Sequence, residues 1–305
     1  MNDINLSVKI GALELKNPVM LASGTVGYGE EISQIVDLTK VGAIITKSIS
    51  LEPRKGNPPE RIWETPSGML NAIGLANIGL KRFVDEKIPF LEKINTTVIC
   101  NIAASTFDEY AECVKSLKDI DTIKAFEINV SCPNVKEGGL IFGNDINAVR
   151  EITALLRPIT DKPLIIKLSP NTAGIKDFAQ AVKEEGADAV SAINTLVGTA
   201  FNIYTRKPRI KNITGGLSGP AIKPVALAKV LEISRNVDIP VIGVGGISSW
   251  EDAAEFIIAG ASAVQIGTAN FVNPKISEEV IEGLRKYCAE MNISDINDLV
   301  ASYTL

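Results

Sequence analysis

The chain has 305 residues, of which 46% are hydrophobic and 22% charged, and its formal charge is −5. That balance is typical of a globular protein in water, and the scattered Lys and Arg residues lack the basic stripe that a nucleic-acid surface requires. No apolar run reaches the ~20 residues needed to cross a bilayer, and the opening MNDINLSVKIGALELKNP is acidic and alternating, unlike a signal peptide.

In chain order, Leu6–Leu15 alternates around Gly11–Ala12 and predicts a hairpin at the bottom of the fold. Strands are then predicted at Pro18–Ala22, Ala43–Lys47, Thr97–Ile102, Ala125–Val130, Pro163–Leu168, Asp188–Ile193, Pro240–Val244 and Ser262–Ile266. Their near-continuous hydrophobicity is that of strands buried on both faces. Helical spacing of apolar residues falls between and after them: Glu30–Thr39, Leu80–Ile94, Phe107–Leu117, Ile146–Leu156, Ile175–Glu185, Ala221–Ile233, Trp250–Ala259 and Glu278–Glu290. Thr106, Asn144 and Ser249 stand where N-caps belong. Eight such units predict an α/β fold, a (β/α)8 TIM barrel, with residues 1–305 as a single domain. Two connections are long, Ser48–Ile78 after the second strand and Thr195–Gly219 after the sixth. Both leave from the carboxyl ends of strands, where long loops tend to carry function.

The residues at those carboxyl ends are Ser23–Gly24, Thr46–Lys47–Ser48, Asn101, Asn129, Lys167, Asn194–Thr195, Gly245–Gly246 and Gly267–Thr268. Nearly all are small or polar, and a barrel gathers them into one ring. Two lysines and several amides in such a ring suit an anionic heteroaromatic ligand. GVGGI (243–247) and QIGTAN (265–270) follow the seventh and eighth strands, the usual phosphate site of this architecture. GGLSGP (215–220) adds further N–H donors. Taken singly, each of these is equally a plain turn. Lys47 and Lys167 either face the ligand or reach to solvent, and a Schiff-base role for Lys167 stays open on the residues alone.

The segment KAFEINVSCPNV (124–135) carries the sharpest chemical signal. It places a thiol, Cys132, between Asn129 and Asn134 just beyond a buried strand. The chain has no histidine, so the usual base near neutral pH is missing and a thiol, with a free pKa of ~8.5, is the candidate. Gly138 and Gly139 would let the following loop act as a lid. The other cysteines, Cys100, Cys113 and Cys288, form no CxxC pair with it or each other, so neither a metal ribbon nor an iron–sulfur cluster is expected in this chain. A reduced, cytoplasmic setting is the simplest expectation, and no metal site is expected.

NVSCPNV, KSIS, WETPSGMLNAIGLAN, IKLSPN, INT, GVGGI and QIGTAN together resemble the class 1 dihydroorotate dehydrogenases over essentially the whole chain. NAIGL in place of NSMGL points to class 1B. The resemblance implies an FMN-containing (β/α)8 barrel that oxidises (S)-dihydroorotate to orotate in pyrimidine biosynthesis. It implies Cys132 as the base at C5, with hydride leaving C6 for the flavin. Lys47, Asn71, Asn129, Asn134, Asn194 and Thr195 would hold the substrate, and the backbone of Ala72, Ile73, Gly74 and Leu75 would close over it. Ser23, Lys47, Ser48, Asn101, Asn129, Lys167, Ile193 and Gly219 would contact FMN, and Gly245, Gly246, Gly267 and Thr268 its phosphate. A homodimer joined by a partner subunit carrying FAD and a 2Fe–2S cluster, a heterotetramer passing electrons to NAD, is also implied. The rival expectations are a class 1A-type enzyme using fumarate, a dihydropyrimidine dehydrogenase-like or dihydrouridine synthase-like barrel, and a catalytically silent flavin-binding subunit.

Overall fold

The computed structural model describes residues 4–130 and 142–304. All eight barrel strands form: Val19–Leu21, Ala43–Ile45, Thr97–Ile102, Ile123–Asn129, Leu164–Lys167, Ala189–Ala192, Val241–Val244 and Ala263–Ile266. Each pairs in parallel with its neighbour in sequence, and the eighth pairs with the first, so the barrel closes. Val, Ile, Leu and Ala dominate the strands because the inner face packs on itself and the outer face is sheathed by helices. The hairpin also forms, Val8–Ile10 against Leu13–Leu15, with its alternate residues buried. Gly11 approaches Asp188 so closely that a Cβ there would lie 3.0 Å from the Asp188 Cβ. Asp188 immediately precedes the sixth barrel strand, so the hairpin sits at the amino ends of the strands, the barrel bottom.

The sheathing helices include Phe107–Leu117, Ile146–Leu156, Ile175–Glu184, Lys223–Ser234, Trp250–Ile258 and Ile276–Glu290. Thr106 caps the first of these by accepting from the Glu109 N–H at 3.2 Å, which stabilises that helix by about 1 kcal/mol. Ser249 caps Trp250–Ile258 in the same way. Among the described residues no helix is long and apolar enough to cross a membrane.

Three local expectations are corrected. Glu30–Thr39 is not one helix but two 3-10 turns, Ile32–Gln34 and Leu38–Lys40. Asp37 separates them: it takes extended backbone and its carboxylate accepts from Thr39 N–H, an aspartate outcompeting the helix for its own backbone. Leu80–Ile94 is interrupted by a π-helical turn at Phe83–Lys87. Pro89 has no N–H to give the carbonyl four residues back, and the wider turn absorbs the loss. The cap of Ile146–Leu156 is Asp145, accepting from Asn147 N–H, rather than Asn144.

The two long connections are not separate loops. Ile62–Thr65 and Gly68–Asn71 come from the first, Leu196–Thr199 and Thr214–Ser218 from the second, and together they form one antiparallel four-stranded sheet. Its central pairing joins the two insertions, with Gly216 opposite Asn71 and Leu217 opposite Leu70. The sheet therefore ties the second and sixth strand ends together above the barrel mouth.

The last helix packs closely on its neighbour. A Cβ at Gly283 would lie 2.2 Å from the Trp250 ring, which also packs on Tyr287 with centroids 5.5 Å apart. Alanine at an exposed helix position would gain about 1 kcal/mol over glycine, but here the rigid indole cannot yield. Gly283→Ala is therefore expected to destabilise the protein by about 1–3 kcal/mol, read as a lower denaturant midpoint at unchanged slope. An unchanged or higher midpoint would show that this contact is loose.

Candidate active site

A cavity of about 710 Å3 opens at the carboxyl ends of the barrel strands beneath the four-stranded sheet. Every expected site residue within the described chain lines it. From the strand ends come Ser23, Lys47, Ser48, Asn101, Asn129, Lys167, Ile193, Asn194, Thr195, Gly245, Gly246, Gly267 and Thr268. The insertions supply Asn71, Ala72, Ile73, Gly74, Leu75 and Gly219. Cys132 and Asn134 lie outside the described residues, as do Gly138 and Gly139. Lining residues that sequence reasoning missed include Asn57, Ser169, Asn171 and Ser218. Ser169 and Asn171 stand in the IKLSPN motif; Asn57 follows Gly56 in the first insertion, where sequence alone offers little signal.

The walls are rich in amides held by one another. Asn194 donates to Asn129 Oδ1 at 3.2 Å and accepts from Thr195 N–H at 2.8 Å. Asn171 donates to the Thr195 carbonyl at 3.1 Å. On the insertion side, Asn57 donates twice, by its side chain to Ala72 O and by its backbone to Ile73 O, both at 2.9 Å. Asn71 donates to Gly216 O at 3.3 Å, across the pairing of the two insertions. Gly74 and Leu75 have φ of 72° and 57°, so the backbone turns sharply where it faces the cavity. Such preset amides can read the donor and acceptor edges of a flat polar ligand without reorganising.

Among the described residues that line the cavity, the titratable side chains are Lys47 and Lys167. Burial, reinforced by the nearby Arg61 charge, lowers the pKa of Lys47 below its ordinary 10.5. A lysine in that position gains from an anionic ligand, which restores what desolvation removes. Burial pushes the thiols of Cys100 and Cys113 up to about 12, in keeping with small apolar core residues.

Beneath the floor lies a carboxylate that the sequence reading did not single out. Glu127, on the fourth strand, is wholly buried. Its Oε1 accepts from Asn101 at 2.7 Å and Lys167 at 3.4 Å, and its Oε2 from Gln265 at 2.6 Å and Ser191 at 2.9 Å. A lone acid within AFEIN, and a glutamine within AVQIG, were the available signals: polar types in strands meant to be buried on both faces.

The far end of the cavity is built from glycine turns. Gly246 has φ of 78°, and a Cβ there would lie 2.8 Å from Lys223 N and 2.9 Å from Gly219 O. Lys223 donates to Asp252 at 2.6 Å, and Asp252 accepts from Ser248 N–H and Oγ, both at 2.8 Å, at the start of helix Trp250–Ile258. Burial works against both charges, but these hydrogen bonds outweigh it, raising the Lys223 pKa and lowering that of Asp252. The loop is thus braced from behind. Among the described residues, the N–H groups of Gly246, Gly267 and Thr268 meet no acceptor, and these three line the cavity. The buried Asn101 Oδ1 likewise meets no donor among the described residues. Free N–H groups at one end, and a buried acceptor beside Lys167 at the other, fit a phosphate joined to a heteroaromatic ring, and so fit FMN.

A family model described as dihydroorotate dehydrogenase matches residues 5–288. The chain is 55% identical over 297 residues to a protein of Trichlorobacter lovleyi, covering 97% of this chain and 98% of that one. It is 53% identical over 298 residues to a protein of Pelobacter propionicus, covering 98% of each. It is 52% identical over 299 residues to one of Thermoanaerobacter sp., covering 98% of this chain and 99% of the other. All three carry the name dihydroorotate dehydrogenase B (NAD(+)), catalytic subunit.

Because a methyl group at Gly246 would meet backbone rather than a yielding side chain, Gly246→Ala is expected to displace the loop and weaken FMN binding at least about tenfold while the far-UV circular dichroism stays unchanged. Equilibrium dialysis against FMN measures this. Unchanged affinity would remove the phosphate assignment of this turn.

Proposed function

The chain belongs to the dihydroorotate dehydrogenase family, and from that premise we propose that it oxidises (S)-dihydroorotate to orotate in pyrimidine synthesis with FMN as its resident cofactor. The observation that carries this reading is the make-up of the cavity. It joins a cationic floor and free backbone N–H groups, suited to FMN, to an amide-lined mouth suited to a small cyclic acid. When bound, FMN supplies the two-electron acceptor for the hydride that leaves C6.

The chain's own residues bind, orient and deprotonate. Lys47 pairs with the substrate carboxylate. Asn71, Asn129, Asn134, Asn194 and Thr195 take the edges of the pyrimidine ring, and the backbone of Ala72–Leu75 covers it. Ser23, Ser48, Asn101, Ile193 and Gly219 would hold the flavin, and Lys167 would supply positive charge that stabilises its anionic reduced form. Gly245, Gly246, Gly267 and Thr268 take the phosphate. Cys132 removes the proton from C5. Two facts support a thiol in that role: the chain contains no histidine, and the described lining offers no carboxylate, phenol or thiol. Cys132 follows Asn129, which does line the cavity, by three positions.

The relatives' names include both NAD(+) and catalytic subunit. They support a partner through which electrons pass on to NAD. By family resemblance that partner carries FAD and a 2Fe–2S cluster and joins a homodimer of this chain in a heterotetramer. A reduced thiol as base suits a cytoplasmic location, and residues 1–305 act as one FMN-binding domain.

The decisive experiment is anaerobic mixing of the FMN-loaded protein with dihydroorotate, which should bleach the flavin absorbance. In Cys132→Ser the bleaching should slow by about 10²–10⁴-fold, the usual contribution of a general base, and its rate should climb to higher pH because a hydroxyl ionises later than a thiol. No bleaching in the parent would overturn the dehydrogenase reading; unchanged kinetics in the variant would overturn the role of Cys132 alone.

The lowered pKa of Lys47 predicts a pH dependence. Its ammonium pairs with the anion only while protonated. Orotate affinity should therefore be full at neutral pH and fall as pH rises through the Lys47 pKa, at a pH below 10.5. Lys47→Arg, with a guanidinium that stays charged, should flatten that profile. Titration of the flavin spectrum with orotate reads both, and a parent profile without the alkaline fall would contradict the assignment.

A further inference from the structure

Glu127 is one of the few charged groups wholly buried in the chain, and nothing in the reaction as described uses it. It does not line the cavity, whereas two of its partners, Asn101 and Lys167, do. Its four donors come from the third, fifth, sixth and eighth barrel strands. An ionised carboxylate offers about four acceptor sites and no donor, so this arrangement matches the charged form and fills it. A barrel interior at this depth is ordinarily packed with branched aliphatic residues, and burying a carboxylate there is costly unless it is fully paired. The polar layer needs an explanation beyond packing.

Its geometry supplies one. By drawing in the Asn101 amide nitrogen, Glu127 turns Asn101 Oδ1 away from itself, and that buried oxygen accepts from no described group. By pairing with Lys167 at 3.4 Å it anchors the ammonium at the cavity floor. One carboxylate thus holds both an acceptor and a cation at the cavity floor, a pair that would suit the N–H and carbonyl of a flavin's pyrimidine edge. It also places a negative charge beneath the positive one.

We propose that Glu127 is a positioning residue for the reaction: it fixes Asn101 and Lys167 against the bound flavin and sets the net charge under the ring, and with it the reduction potential. This rests on the flavin reading of the cavity. The isosteric Glu127→Gln removes the negative charge while keeping an acceptor for Lys167; Ser191 and the Gln265 amide can reorient to the new partner. The site becomes more positive, which favours the anionic reduced flavin.

The test equilibrates FMN-loaded protein with a reference dye of known potential. In Glu127→Gln the ratio of reduced to oxidised flavin at fixed dye potential should rise about tenfold or more, the order expected when a charge is removed at short range inside a protein. Should that variant fail to fold, Glu127→Gln combined with Lys167→Met removes both charges. The double variant should then hold more reduced flavin than Lys167→Met alone. A ratio equal to the parent's in Glu127→Gln, or equal to that of Lys167→Met in the double variant, overturns the proposal and leaves Glu127 a packing residue. A parent protein that binds no FMN instead overturns the flavin reading, so the two failures are told apart.

Discussion

All eight barrel strands run in one direction, and closure of the sheet brings every carboxyl end to the same rim. The candidate site depends on that constraint. No strand carries more than two or three useful polar groups, and residues as far apart as Ser23 and Thr268 share a cavity only because the first strand pairs with the eighth. The strands themselves stay aliphatic because both of their faces are covered, so polarity is confined to where each strand stops. The hairpin at the opposite end closes the bottom and leaves one mouth.

Inside that aliphatic frame the polar layer around Glu127 is an exception with a clear cost. Four donors from four strands converge on one carboxylate, and a layer of this kind tolerates no missing partner, because an unpaired charge in such surroundings costs several kcal/mol. The layer therefore links the rigidity of the barrel to the orientation of Asn101 and Lys167 above it. The glycine end shows the same economy of means: Lys223, Asp252 and Ser248 hold one another behind the loop, and among the described residues the backbone N–H groups of Gly246, Gly267 and Thr268 are left without an acceptor.

The mouth is shaped by a different principle. Two insertions that leave the barrel at separate strands meet as neighbouring strands of one sheet. Asn71 and Gly216, 145 positions apart, are joined by a hydrogen bond. The sheet fixes the turn at Gly74–Leu75 over the cavity, so the mouth is formed by long-range pairing while the far end is formed by glycine turns. The division suits the proposed function, since a phosphate needs only donors at a turn whereas a ring with several distinct edges needs groups from several directions.

The strands were legible in the sequence because burial on both faces leaves unbroken runs such as LIIK and AVQI, and the site was legible where those runs gave way to Ser, Asn, Lys or Gly. Local competition hid the rest: Asp37 took its own backbone out of a helix, Pro89 forced a wider turn, and Asp145 rather than Asn144 supplied a cap. Glu127 is a lone acid in a strand expected to be buried on both faces, but the donors that pair with it come from four other strands, so its role shows only once those strands are brought together. Periodicity and strand-end chemistry, which depend on residues a few positions apart, determined the barrel and the ring of candidate residues from sequence alone. The pairing of the two insertions and the convergence of four donors on Glu127 were decided only by the tertiary structure, since both are contacts between distant segments whose register no local pattern encodes.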